Sequence, residues 1–175
     1  MSRMRKQGTI EFQARLAEGL AFEQGQAIDI LHAHYPQHYI MNNQIDPSAT
    51  TGGTIVGPRI YKGKHREEEH IVPDFVLIDQ DGQAIWFDAK LKGASYPHKG
   101  REYFTIDQSK NRAYCKFPLF MRDNFYLLFK HGKTGNCYKT KYNPVPDLMH
   151  FDNDYGKGPT PVYYLDTLTY MGTGG

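Results

Sequence analysis

The sequence predicts an α/β domain: helices packed on a central β-sheet, with an insertion at residues 35–70 and a C-terminal extension at 142–175. Three observations carry this reading. A helical stripe runs through the first 35 residues, a strand pair apolar on both faces follows at residues 72–91, and a second helix with a further strand comes after it. At 175 residues the chain suits a single domain with its own core.

The first element is EFQARLAEGLAFEQGQAIDILHAHYP. Leu16, Leu20, Ala27 and Leu31 recur at spacings of four, seven and four, one stripe of a helix that Pro36 ends. Glu23 falls on this stripe, where a carboxylate meets apolar surroundings. Gly19 and Gly25 each weaken a helix by about 1 kcal/mol relative to alanine, so a break or a close backbone contact is expected there. Residues 35–70 show no clean period. They hold short β-prone pieces at Tyr39–Met41 and Thr54–Val56 around a Ser/Thr/Gly loop, and Glu67–Glu69 reads as a solvated turn or strand face.

Next come two strands, Val72–Asp79 and Gln83–Leu91, joined around Asp81-Gly82. A two-residue loop would put Asp74 opposite Ala89 and Asp88 on the other face. A three-residue loop, Gln80-Asp81-Gly82 with Gly82 left-handed, makes Asp74 face Asp88 instead. Strand alternation then places Lys90 on that face with Val76, Ile78 and Trp86, while Phe75, Leu77, Ile85, Phe87 and Ala89 line the other. Both faces are apolar away from the charged end, which marks a central pair covered on both sides. KGASYPHKGREYF is expected to be a loop and TIDQSKNRAYCKF a helix closed by Pro118. Asn124–Lys130 reads as a strand, Cys137–Tyr142 as its hairpin partner, and PVYYLDTLTY as a last strand.

Composition narrows the function. With 39% hydrophobic and 23% charged residues and no apolar run of the ~18–20 residues a span needs, a membrane role is not expected. The amino terminus has no secretory apolar core, so a cytoplasmic location is expected. Cys115 and Cys137 form no CxxC pair and point to neither a disulfide framework nor a zinc site. Gly52-Gly53 lacks the lysine of a phosphate loop, so no nucleotide cofactor is expected, and His32 and His34, two apart on a helix, do not chelate. The overall charge of +2 hides a segregation. Between Ala89 and Lys141, twelve Lys/Arg stand against Glu102, Asp107 and Asp123, a net +9, interleaved with tyrosines and phenylalanines. Phosphate neutralisation combined with base stacking favours such a mixture. Lys92, Lys99, Arg101, Lys110, Arg112 and Lys116 are the candidate nucleic-acid contacts.

Two facing carboxylates beside a lysine are costly to bury, and a divalent cation reconciles them. Mg²⁺ suits carboxylate oxygens, water and phosphate; Mn²⁺ is expected to substitute, and the Ala89 carbonyl is a natural extra ligand. Pro73-Asp74, a hairpin's length of chain and then Asp88-Ala89-Lys90 resemble the PD-(D/E)XK nuclease signature. Glu23 in GLAFEQGQAIDIL is similar to the family's first-helix glutamate. Gln108 in TIDQSKNRAY resembles the glutamine-bearing helix of the Holliday-junction-resolvase-like branch, and NFYLLFK matches the next core strand. The resemblance implies a restriction-endonuclease-like αβββαβ core with a central mixed sheet, spanning about residues 8–34 and 71–130. It implies a metal-dependent DNA endonuclease leaving 5′-phosphate ends, acting as a homodimer. Asp74, Asp88 and the Ala89 carbonyl bind the metal, Glu23 assists directly or through water, Lys90 positions the nucleophile and Gln108 orients the site. RNA stays open as substrate, as do a sequence-specific restriction-like or homing enzyme and a non-cutting nucleic-acid-binding module on the same fold.

Overall fold

The computed structural model describes residues 11, 13–15, 17–43, 73–143, 149–150 and 160–173, so the expectations for Thr54–Val56, the loop at 46–66 and Glu67–Glu69 lie outside the described residues. Residues 17–21 are α-helical, Phe22–Gln26 form a π turn, and α1 follows at Ala27–His34. The π turn is the break that Gly19 and Gly25 foreshadow. The Ala27 N–H reaches the Phe22 carbonyl, five residues back, and buried Phe22, Ala27 and Leu31 accordingly step by five and then four along one face. Tyr35 leaves helical geometry at φ −128°, and its N–H closes on the Leu31 carbonyl at 2.8 Å, just ahead of Pro36.

Strand β1, Tyr39–Asn42, pairs antiparallel with β2, Phe75–Ile78, and β2 pairs antiparallel with β3, Ala84–Lys92. The β2–β3 turn is the three-residue one. Gly82 lies at φ +79°, and the Asp79 carboxylate accepts the N–H groups of Asp81 at 2.9 Å and Gln83 at 2.8 Å. Phe75 therefore stands opposite Phe87 and Val76 opposite Trp86, the register that brings Asp74 to Asp88.

The expected loop after β3 is a hairpin instead, β4 at Tyr96–His98 and β5 at Arg101–Thr105. Gly93, Pro97 and Gly100 read as loop punctuation. Yet Pro97 lies in the outermost strand of its sheet, where a missing N–H is tolerated, and Lys99-Gly100 turn with φ of +48° and +77°. α2 spans Gln108–Cys115, and a short α3, Leu119–Arg122, follows Pro118. β6, Phe125–His131, runs parallel to β3 and antiparallel to β7, Asn136–Lys141. Met149–His150 form β8. The expected last strand divides into β9, Thr160–Tyr164, and β10, Thr169–Thr173, because a 3₁₀ turn at Leu165–Thr167 redirects the chain.

The six-stranded mixed sheet has the order β1-β2-β3-β6-β7-β10, and β4-β5-β9-β8 form a second sheet. Thus the C-terminal extension completes both sheets. Phe22, Ala27 and Leu31 pack on Phe75, Leu77, Phe87 and Ala89 on one face of the larger sheet. On the other face Phe104, Ile106, Tyr114 and Phe117 meet Phe125, Leu127 and Phe129. Doubly covered β3 and β6 explain the apolar runs read in the sequence. Among the described residues no helix is long and apolar enough to cross a membrane.

Candidate active site

Asp74 sits just before β2, and β1 fixes it there. The Asn43 N–H donates to the Asp74 carbonyl at 2.7 Å, and the Asn43 side chain donates to the Pro73 carbonyl at 3.0 Å. Across the pair, the Ala89 N–H donates to Asp74 Oδ2 at 2.7 Å, which aims the carboxyl group along β3. Asp88 projects from the same face as Lys90, whose Nζ lies 2.6 Å from Asp88 Oδ2. Both aspartates are buried, 4% and 2% exposed, while the Lys90 side chain keeps 19% of its surface. A residue the sequence reading missed completes the cluster: Tyr114, fully buried on α2, donates its hydroxyl to Asp88 Oδ2. Its signal was the apolar stripe Ala113, Tyr114 and Phe117, which lays a phenol over the β3 face that bears Asp88.

The four titratable groups divide by environment. Burial pushes the Asp74 carboxyl well above the usual range, and the Asp88 charge adds to it. Burial would raise Asp88 too, but the Lys90 ammonium and hydrogen bonds from Asp74, Lys90 and Tyr114 hold it below the usual range. The pair is thereby split, burial favouring the neutral form of Asp74 and its partners favouring the anion of Asp88. Burial opposes the Lys90 charge, but Asp88 and then Asp74 outweigh it and hold the ammonium firmly protonated. Glu23, in the π turn, is raised to about 7, chiefly by burial and further by Asp88, with Lys90 and Lys110 opposing. The fold therefore brings Glu23 to the electrostatic reach of Asp74, Asp88 and Lys90.

Gln108 opens α2 half-buried and, among the described residues, makes no hydrogen bond to this cluster. Lys110, two residues on, is the α2 group whose charge reaches Glu23. Lys92 is half-buried next to the site, its amine lowered to about 8 by burial and by Lys90, against the pull of Asp107. Lys99 is exposed at the tip of the β4–β5 turn, and Arg112 and Lys116 are exposed on and after α2. Arg101 is engaged within the chain: its Nε donates to Asp166 at 2.6 Å and its guanidinium lies 3.8 Å from the Tyr164 ring centre.

Among the described residues no three His, Cys, Asp or Glu side chains converge closely enough to hold an ion by themselves. An ion here would rest on the Asp74–Asp88 pair, with backbone, water or substrate oxygens completing its shell. Strand alternation supplies one such oxygen. The Trp86 N–H points to the β6 side, bonding Asn124 at 2.9 Å, so Ala89, three residues on, turns its N–H and carbonyl toward β2, beyond the last pair at Phe87. Comparison with protein-family models, with curated proteins and with solved structures finds no match.

Proposed function

We propose that the chain is a Mg²⁺-dependent DNA endonuclease of the PD-(D/E)XK type that leaves 5′-phosphate ends. The observation that carries this reading is the buried, facing pair Asp74 and Asp88 with Lys90 on the same side of the central strand β3. The element order supports it: a helix, three antiparallel strands and, after the β4–β5 hairpin, a helical segment and a strand parallel to the third. The donor chemistry also fits a hard cation. An ion here would offset the burial and the Asp88 charge that raise the Asp74 carboxyl, and the Ala89 carbonyl turns toward β2 as its N–H does.

When bound, the metal would polarise the scissile phosphate and lower the pKa of a water. The chain's own groups divide the remaining work. Lys90, held protonated, is unsuited to taking a proton at neutral pH and instead orients the nucleophile and offsets charge developing on the phosphate. Glu23, at about 7, has the affinity a general base needs near neutrality. Tyr114 locks Asp88 in orientation from beneath. Water attacks phosphorus, the bond to O3′ breaks, and the phosphate stays on the 5′ end.

The test is hydrolysis of supercoiled, linear, branched and single-stranded DNA in Mg²⁺ and Mn²⁺ by the wild type and Asp88→Asn. The variant is expected to lose at least about a hundredfold in single-turnover rate. Wild-type rates in Asp88→Asn would overturn the assignment. A homodimer belongs to the same reading and is read out by light scattering.

A further inference from the structure

The C-terminal ends of the parallel strands β3 and β6 open into a cleft of about 610 Å³ beside the candidate active site. In open α/β sheets such strand ends are where ligands bind. Gly132 builds the floor: its N–H donates to the Lys92 carbonyl at 2.6 Å, and a Cβ at this position would come within 3.1 Å of that oxygen. Lys92 and Arg15 supply cations, and Glu18 and Asp107 supply carboxylates. Tyr96, 48% exposed, presents its ring at the wall and is backed by Tyr103, whose ring centre lies 5.7 Å away.

Three features limit what this cleft receives. The volume falls within the roughly 300–1,000 Å³ of small-ligand sites, the scale of a single nucleotide. The mixed charges disfavour a bare anion, because Glu18 and Asp107 would repel it. A nucleotide answers each group: its phosphate meets Lys92 and Arg15, its exocyclic amine and ring N–H groups meet the carboxylates, and its base has a face for Tyr96. Lys92 also shares the β3 face of Asp88 and Lys90, two residues beyond Lys90, a step of about 7 Å that is comparable to one nucleotide of extended strand.

We propose that this cleft takes one unpaired nucleotide adjacent to the scissile bond, so that the substrate is single-stranded DNA or a strand displaced at a branch or end. The inference rests on the nuclease reading for its chemistry but not for its binding. A Lys92 amine lowered by burial, with Asp107 opposing and Lys90 adding to the shift, agrees with it, since a phosphate would favour its charged form.

Binding in EDTA tests it. Fluorescein-labelled single-stranded DNA and the blunt duplex of the same length are titrated by anisotropy against the wild type, Tyr96→Ala, Tyr96→Phe and Lys92→Met. Single strands are expected to bind at least tenfold tighter than the duplex. Tyr96→Ala should weaken single-strand binding about tenfold, with Tyr96→Phe restoring it and duplex affinity unmoved. Lys92→Met should lower the single-strand salt slope by about 0.7. Equal affinity for the two forms, or no effect of Tyr96→Ala on single strands, overturns the proposal. Hydrolysis in Mg²⁺ is then scored separately. Single-strand binding without hydrolysis removes the nuclease reading and keeps the cleft assignment; hydrolysis of blunt duplex without single-strand preference does the reverse.

Discussion

Asp74 carries two duties that one substitution separates. Its carboxyl accepts the Ala89 N–H and faces Asp88. Asn keeps an acceptor for the first and a donor for the second, but removes the charge an ion needs. Asp74→Asn should therefore stay within about 1 kcal/mol of wild-type stability in urea unfolding while losing Mg²⁺ binding by calorimetry. Glu23 gives a pH signature. Its folded pKa of about 7 stands above its ordinary value of 4.5, so the folded state holds more protons between them. Stability without metal should fall as pH rises through that window, with the loss complete above about 7. Asp74 is shifted in the same direction, so Glu23→Gln should reduce the slope without removing it. Urea midpoints at pH 5 and pH 8 in EDTA measure both variants. The sequence made Asp74, Asp88, Lys90 and Glu23 legible because charge set into an apolar pattern is too costly to bury without a counter-charge or a ligand. Tyr114 was hidden because a tyrosine on an apolar helix face looks like any core aromatic, and only the packing of α2 on β3 reveals what its hydroxyl meets.

At the level of elements, turn chemistry decided what could be read. Asp81-Gly82 fixed the β2–β3 register because only a left-handed Gly82 makes the three-residue loop. Lys99-Gly100 performs a similar task in the β4–β5 hairpin, but a lysine at φ +48° is unusual, and that is why this segment read as a loop. The conformation costs a lysine more than an asparagine. Lys99→Asn should thus raise Tm by about 1–3 °C in calorimetry, from a gain of about 0.5–1 kcal/mol. An unchanged or lower Tm would mean that the Lys99 side chain contributes a stabilising contact. The π turn was half legible: Gly25 marked a weak helix, but the phase shift that seats both Phe22 and Ala27 in the core depends on the sheet they pack against.

Across the whole molecule, several cations of the basic segment between Ala89 and Lys141 are engaged within the chain. Arg101 is paired with Asp166, the charge of Lys110 reaches Glu23, and Arg122 donates to the Cys115 carbonyl at 3.1 Å. Arg112 and Lys116 remain exposed on α2 and just beyond it. Replacing both with glutamine should weaken DNA binding and lower the salt slope by about 1.4–1.8, with the rate at saturating DNA preserved. Lys90→Ala should keep binding and lose the rate. An unchanged salt slope in the Arg112/Lys116 variant would put the DNA path elsewhere. The C-terminal extension was the least legible part, since the partners of β9 and β10 lie far back in the chain, at β5 and β7.

Those distant pairings also govern how fast the protein becomes itself. β4 and β5 close locally, on the microsecond scale of a hairpin, but β5 then waits for β9, and Thr105 must meet Val162 across the intervening chain. α1 likewise waits for β10, where His34 Nε2 meets the Met171 carbonyl at 2.8 Å. Such long loops slow folding toward milliseconds to seconds. The single tryptophan, Trp86, packs against Phe120 and the core built by α2 and β6, so its fluorescence reports the docking of these elements. The wall that carries Tyr96 is anchored only when β9 docks on β5, so competence to hold a nucleotide should lag behind the recovery of Trp86 fluorescence. During that interval the open edge of β5 is exposed to other chains, and dilute refolding should return more folded protein than concentrated refolding.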